Sequence, residues 1–201
     1  MSDKQESKRE RNTRERREQI LYAAVECFIE KGFHQTSMRD IASAAQVSLG
    51  NLYNHFANKE ALIAEIATIE ADDFSGFLRD LTTGKSPLEG LERFARRFTA
   101  YHAEPENLAL SAEITAEVVR NPSIAGGFSR NRKALVDGIV ETLQAGVATG
   151  QIRSDIDAAG AAELILDMTE GVAFRIAVLN KAQSNRAVGV MIDALRSWLA
   201  R

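Results

Sequence analysis

From Thr13 to the C-terminal residues, apolar side chains return every three or four positions, and no segment sustains the alternation of a half-buried strand. A chain patterned in this way can bury its apolar surface only as helices packed on helices, each contributing one stripe. The stops are as regular as the stripes. A first helix carries Ile20, Leu21, Ala24, Val25, Phe28 and Ile29 on one face until Gly32 ends it. Thr36 or Ser37 then caps a short helix with Met38, Ile41, Ala42 and Ala45 inward, and Asp40 stands at the reciprocal position of a capping box. Ser48 caps a second short helix anchored by Leu52 and Phe56, and Asn58 opens a longer one from Lys59 to Leu81. Further helices are expected at roughly 87–102, 106–120, 123–149, 157–180 and 185–200. The expected fold is all-α with about nine helices: a small N-terminal three-helix unit, a connecting helix and a larger bundle.

Composition narrows the class. The chain has 201 residues, 45% of them hydrophobic, one cysteine and a net charge of -3. One cysteine excludes an internal disulfide or a cysteine metal cluster, and Cys27 falls on the apolar face of the first helix. No stretch matches the ~20 apolar residues of a membrane span, and the charged first residues do not resemble a signal peptide, so a cytoplasmic location is expected. His34 and His102 lack partners at metal-ligand spacing, and Gly126-Gly127 follows no strand. No metal, cofactor or enzymatic activity is expected.

Two short helices joined by a tight turn form the helix-turn-helix arrangement, whose second helix enters the DNA major groove. Ala42 and Ala45 allow close helix crossing, and Gly50 leaves the front of the second helix open to a phosphate backbone. Ser48 and Thr36 bring hydroxyls towards phosphate, Asn51 and Asn54 suit base edges, and Tyr53 and His55 suit phosphates. Arg39 and Lys59 add charge, and Leu49 suits an apolar contact such as a thymine methyl. Residues 1–12 have no apolar side chain after Met1 and read as a disordered basic arm that follows the DNA backbone or minor groove.

From Ile20 to Ile66, and above all in FIEKGFHQTSMRDIASAAQVSLGNLYNHFANKEALIAEI, the chain resembles the DNA-binding domain of the tetracycline-repressor (TetR/AcrR) family of bacterial transcriptional regulators. The ordered series Gly32-Phe33, Thr36, Asp40-Ile41-Ala42, Val47-Ser48, Gly50-Asn51-Leu52-Tyr53 and His55-Phe56 carries the likeness. The resemblance implies a homodimer that binds palindromic operator DNA, a fourth helix leading to an effector-binding bundle, and dimerisation through the last two helices. The domains then read as 13–58 for DNA binding, with the motif at 37–56, and 59–201 for effector binding and dimerisation. Phe74, Phe77, Phe94, Phe98, Tyr101, Phe128, Met168 and Phe174 are candidates to line a pocket for a small hydrophobic or amphipathic effector, against the plainer reading as core. Leu164, Ile165, Met168, Val172, Ile176, Met191, Ile192, Leu195 and Trp198 are candidates for the dimer interface. Glu113, Glu117, Arg120 and Asn121 read as surface residues, with orientation of a polar or charged ligand as the alternative. The expected function is a ligand-responsive repressor, with an activator or a helical binding protein without operator binding as alternatives.

Charge agrees with this division. Residues 1–60 carry ten basic and nine acidic side chains, while residues 61–201 carry fifteen and nineteen, so the acidity belongs to the bundle.

Overall fold

The computed structural model describes residues 8–200. In chain order the helices are α1 (Lys8–Lys31), α2 (Met38–Ala44), α3 (Leu49–His55), α4 (Lys59–Thr82), α5 (Pro87–His102), α6 (Pro105–Arg120), α7 (Ala125–Ala148), α8 (Ala158–Ile176) and α9 (Lys181–Leu199), with a 3-10 turn at Pro122–Ile124. The start of α1 corrects one expectation: residues 8–12, read as arm, are helical, and residues 1–7 lie outside the described residues. The side chains explain why. Arg11 pairs with Glu15 at 3.8 Å and Arg14 with Glu18 at 3.7 Å, both at helical i, i+4 spacing, which supports the exposed first turns of α1.

The chain divides into two compact units. One gathers the residues up to Ala67 together with Ala112–Ile124; the other comprises Thr68–Ser111 and Ala125 onwards. Thus α4 and α6 each contribute to both, where the sequence suggested a single boundary at residue 58.

In the first unit, Ile20, Ala24 and Phe28 of α1 close over Ile41 and Ala42 of α2, Leu52 of α3, and Leu62 and Ile63 of α4, all almost fully buried. The second unit is organised on α5 and α8, which bury Leu91, Phe94, Ala95 and Phe98 against Ala162, Ile165 and Leu166, with Leu135, Ile139 and Leu143 of α7 alongside. Arg132 of α7 fastens α8 by reaching Glu163 at 2.8 Å, Asp167 at 2.7 Å and Glu170 at 3.2 Å. At the far end, Arg153 donates its N–H to the Leu199 carbonyl at 3.0 Å, closing the C-terminus on the α7–α8 loop.

Helices α4 and α5 approach closely at Gly90. A Cβ there would lie 2.4 Å from the Leu81 carbonyl oxygen, a backbone atom with nowhere to move. Gly90→Ala is therefore expected to lower stability by about 1–3 kcal/mol, read as a lower urea midpoint without loss of helical circular dichroism.

Candidate nucleic-acid interface

The helix-turn-helix is built by caps that its own sequence supplies. Ser37 accepts from the Asp40 N–H, and Asp40 accepts from the Ser37 N–H, at 3.2 and 2.9 Å. Lys31, with Ser37, holds the Asp40 carboxyl far below the usual carboxylate range. The turn is set by Gln46, whose φ of 53° lies in the left-handed region, and it closes with the Val47 N–H donating to the Ala42 carbonyl at 2.9 Å. Ser48 caps α3 by accepting from the Asn51 N–H at 3.1 Å, and Asn58 caps α4 by accepting from the Ala61 N–H at 2.8 Å.

Packing fixes which face of α3 remains outside. Leu52 and Phe56 are buried, whereas Tyr53 is 50% exposed and Ser48, Gly50 and Asn54 are also exposed. Beyond its chain neighbours and its own helix backbone, no atom of the described residues lies within 4 Å of where a Gly50 Cβ would stand, so this surface is open to a partner's backbone. Arg39 on α2 is exposed, and Leu49 and His55 are half-buried. Asn51 is half-buried, and its amide oxygen has no hydrogen-bond donor.

Two residues assigned to DNA by sequence do other work. Thr36 is 1% exposed and donates its hydroxyl to the carbonyls of Cys27 and Gly32, both at 2.9 Å, so it ties the end of α1 to the start of α2. Lys59 donates to the Phe33 carbonyl at 2.5 Å and stands 4.2 Å from the centre of the Phe33 ring. The same corner is held from α6. Glu113 accepts from the Phe33 N–H at 3.1 Å, and Glu117, read as surface, is buried and pairs with His34 Nε2 at 2.8 Å.

Arg17 is the principal residue that sequence reasoning missed. It forms a bidentate pair with Glu65 of α4 at 3.1 and 2.8 Å, donates to the His55 carbonyl at 2.9 Å, and lies 4.3 Å over the Phe56 ring. The hydrogen bond to Glu65 raises the guanidinium above its usual range, and Arg17 lowers Glu65 in return. Gln19 adds a second strut, donating to the Ala45 carbonyl at 2.7 Å. Arg17 thus fixes the end of α3 to α1 and α4 from behind, and Gln19 fixes the end of α2 to α1.

In the second unit, Phe74, Phe77, Phe94 and Phe98 form one buried aromatic cluster, with Tyr101 and His102 at its margin. Phe128 is half-buried. Phe174 is 48% exposed and Met168 lines a surface groove, so neither belongs to that cluster's interior. Burial pushes Glu70 up to about 7, opposed by an amide hydrogen bond from Asn131 at 2.8 Å. Burial pulls His102 down to about 4 and leaves its Nε2 without a hydrogen-bond partner. Tyr101 donates to Asp73 at 2.9 Å, and burial together with that bond raises its hydroxyl well above its usual range.

The groove, of about 720 Å³, lies between α8 and α9 and is walled by Met168, Val172, Arg175, Ala187, Val190 and Met191. Val190 of this wall is an exposed apolar side chain, as are Leu164 and Phe174 of α8 and Val178 just beyond its end. Of the residues expected at a dimer interface, Ile165, Ile192 and Leu195 are instead buried within the protomer, and Met191 is 5% exposed. They face inward because each stripe is wide enough to serve two surfaces.

A helix-turn-helix with a packed back and an open polar front defines the class: a DNA-binding regulator. The profile of the bacterial regulatory proteins of the tetR family matches residues 20–66, and that of the C-terminal domain of BetI-type transcriptional repressors matches residues 87–200. The chain is 33% identical over 165 residues to the HTH-type transcriptional regulator UidR of Escherichia coli (strain K12), covering 78% of this chain and 79% of that protein. It is 32% identical over 148 residues to the HTH-type transcriptional repressor KstR2 of Rhodococcus jostii (strain RHA1), covering 71% and 70%. Among solved structures, Salmonella enterica GusR superposes with a TM-score of 0.77 at 30% identity over 92% of this chain and 95% of that one. The chain belongs to the TetR family of bacterial regulatory proteins and is a DNA-binding transcriptional regulator. Among the described residues, no helix is long and apolar enough to cross a membrane and no group of three His, Cys, Asp or Glu could hold a metal ion.

Proposed function

We propose that the protein is a cytoplasmic repressor, without catalytic activity, that binds a palindromic operator as a homodimer and is released by a small hydrophobic or amphipathic effector seated in the α4–α8 bundle. The observation that carries this reading is the outward face of α3: Asn51, Tyr53 and Asn54 stand beside the open Gly50, on a helix locked from behind by Leu52, Phe56 and Arg17. Asn51 and Asn54 read base edges, Tyr53, Ser48, His55 and Arg39 hold phosphates, and Leu49 meets a thymine methyl.

The effector's apolar part lies against Phe74, Phe98 and Tyr101, and its polar part meets Glu70 and His102, whose burial disfavours their charged forms. Helix α4 is common to both units, so displacement of its bundle end by the effector alters the spacing of the two recognition helices across successive major grooves. Linkage is reciprocal, and operator DNA weakens effector binding by the same factor.

The exposed apolar side chains around the α8–α9 groove supply the dimer face, with Leu164, Met168, Val172, Ile176 and Trp198 retained from the sequence reading and Phe174, Val178 and Val190 added. Val172→Glu with Phe174→Glu is expected to give a folded monomer in sedimentation velocity at micromolar concentration. Duplexes that wild-type protein retains from a randomised pool are expected to carry inverted repeats, and the monomeric variant to retain none of them. A wild-type monomer, or retained duplexes without two-fold symmetry, would overturn this reading.

A further inference from the structure

The first turns of α1 carry a charge arrangement that the recognition helix does not account for. Lys8, Arg9, Asn12 and Arg16 recur at the spacing of a single helix face, with Glu15, seven residues after Lys8, at its edge and Glu10 and Glu18 farther round the circumference. Where acids are present they are taken up locally, with Arg11 on Glu15 and Arg14 on Glu18. Apart from Glu15 at its edge, which Arg11 takes up, the first face carries no carboxylate. It forms one wall of a concavity of about 510 Å³ whose other wall is Asn51 and His55 of α3. Lys8 and Arg9 are exposed, and neither makes an ion pair with another described residue. Thr13 stiffens the turn by donating its hydroxyl to the Arg9 carbonyl at 2.9 Å, and Arg16 is steadied by Gln19 Oε1 at 2.9 Å. Asn51, whose buried amide oxygen has no donor among the described residues, lines this same concavity. The result is a preformed cleft with cationic donors on one side and the recognition helix on the other.

We infer that this face of α1 is a phosphate-binding rail, on which Lys8, Arg9 and Arg16 neutralise the DNA backbone flanking the groove entered by α3 and the Asn12 amide donates to the same strand. The inference rests on the operator-binding reading and adds to it a second contact element. A rigid helix holds these charges at fixed separations, so each contact is positioned and releases condensed counterions from a defined phosphate. The recognition helix, with no Lys or Arg between Leu49 and His55, supplies little of that neutralisation.

The test uses the full-length protein and a fluorescein-labelled duplex that the wild type retains from a randomised pool, titrated by anisotropy between about 50 and 300 mM salt. Lys8→Ala with Arg9→Ala removes two charges at exposed positions where alanine favours the helix. The plot of log affinity against log salt is expected to flatten by about 1.8 per protomer, hence about 3.6 for a dimer. Arg11→Ala with Arg14→Ala removes the same charge from the opposite side, where it is already paired, and is expected to leave the slope within about one of the wild type. Equal flattening by both variants would show that overall charge, rather than this face, sets the slope and would overturn the inference. So would an unchanged slope for Lys8→Ala with Arg9→Ala. Should wild-type protein retain no duplex at all, the operator reading falls and the rail falls with it.

Discussion

Replacing Asn51 and Tyr53 together by alanine is expected to abolish operator retention while leaving the protein as stable as before. The two effects separate because the side chains that would contact DNA contribute almost nothing to folding. Tyr53 is half exposed, and the Asn51 amide oxygen has no donor, so truncation leaves no buried partner unsatisfied. A lost base contact costs about 1–3 kcal/mol, and a two-fold symmetric complex suffers the loss in both half-sites, giving a fall in affinity of about a thousandfold or more. Urea unfolding, circular dichroism and the sedimentation coefficient should match the wild type. Retention within about threefold of wild type, with unchanged stability, would remove α3 as the reading element. Leu52→Ala makes the opposite case: this side chain is fully buried and its truncation should cost about 2–5 kcal/mol of stability, so lost binding would there be secondary to unfolding.

The second large effect concerns pH. Glu70 has an ordinary value of 4.5 and is pushed up to about 7, so between those values the folded protein keeps a proton that the unfolded chain has shed. Its contribution to stability is complete below 4.5 and is lost as pH rises through 7. His102 has an ordinary value of 6.5 and is pulled down to about 4, so the folded protein refuses a proton that the unfolded chain accepts. Its contribution is complete above 6.5 and is lost as pH falls through 4. Over the shared window from 4.5 to 6.5 the two slopes oppose one another. Each shift corresponds to about 3 kcal/mol. Glu70→Gln should therefore gain stability relative to wild type as pH rises through this window, by roughly 1.4 kcal/mol per pH unit. His102→Gln should lose stability relative to wild type at the same rate. Urea midpoints at several pH values decide the matter, and two variants that run parallel to wild type would exclude both burial effects.

The fold was legible because this chain announces its helix ends. Gly32, Ser37, Ser48 and Asn58 all stop or cap a helix in the structure, Gly32 with its positive φ of 81° and the other three with a side chain that accepts a backbone N–H three residues on. Long-range partnerships left no such trace. Nothing local marks Arg17 for Glu65, 48 residues away, or Glu113 for the Phe33 N–H, 80 residues away. The start of α1 was misread because the absence of apolar residues was taken as absence of structure, although its Arg–Glu spacing is helical. Thr36 was misread because a hydroxyl beside a groove-binding motif suggests phosphate, while its burial is decided by Cys27 and Gly32. The dimer stripe was half legible: periodicity identifies an apolar face but does not divide it between a protomer's own core and a partner.

The corner at Gly32, Phe33 and His34 bears on how such regulators can be recombined. The Phe33 amide is satisfied by Glu113, and His34 Nε2 stands 2.8 Å from Glu117, both of which the chain supplies some 80 residues later. A chimera made by joining residues 1–67 to a foreign bundle would leave the Phe33 N–H and His34 without these partners, and with them one wall of the DNA-reading unit. The transferable module is discontinuous. It consists of the N-terminal segment together with Ala112–Ile124, and a graft that keeps both pieces preserves the reader.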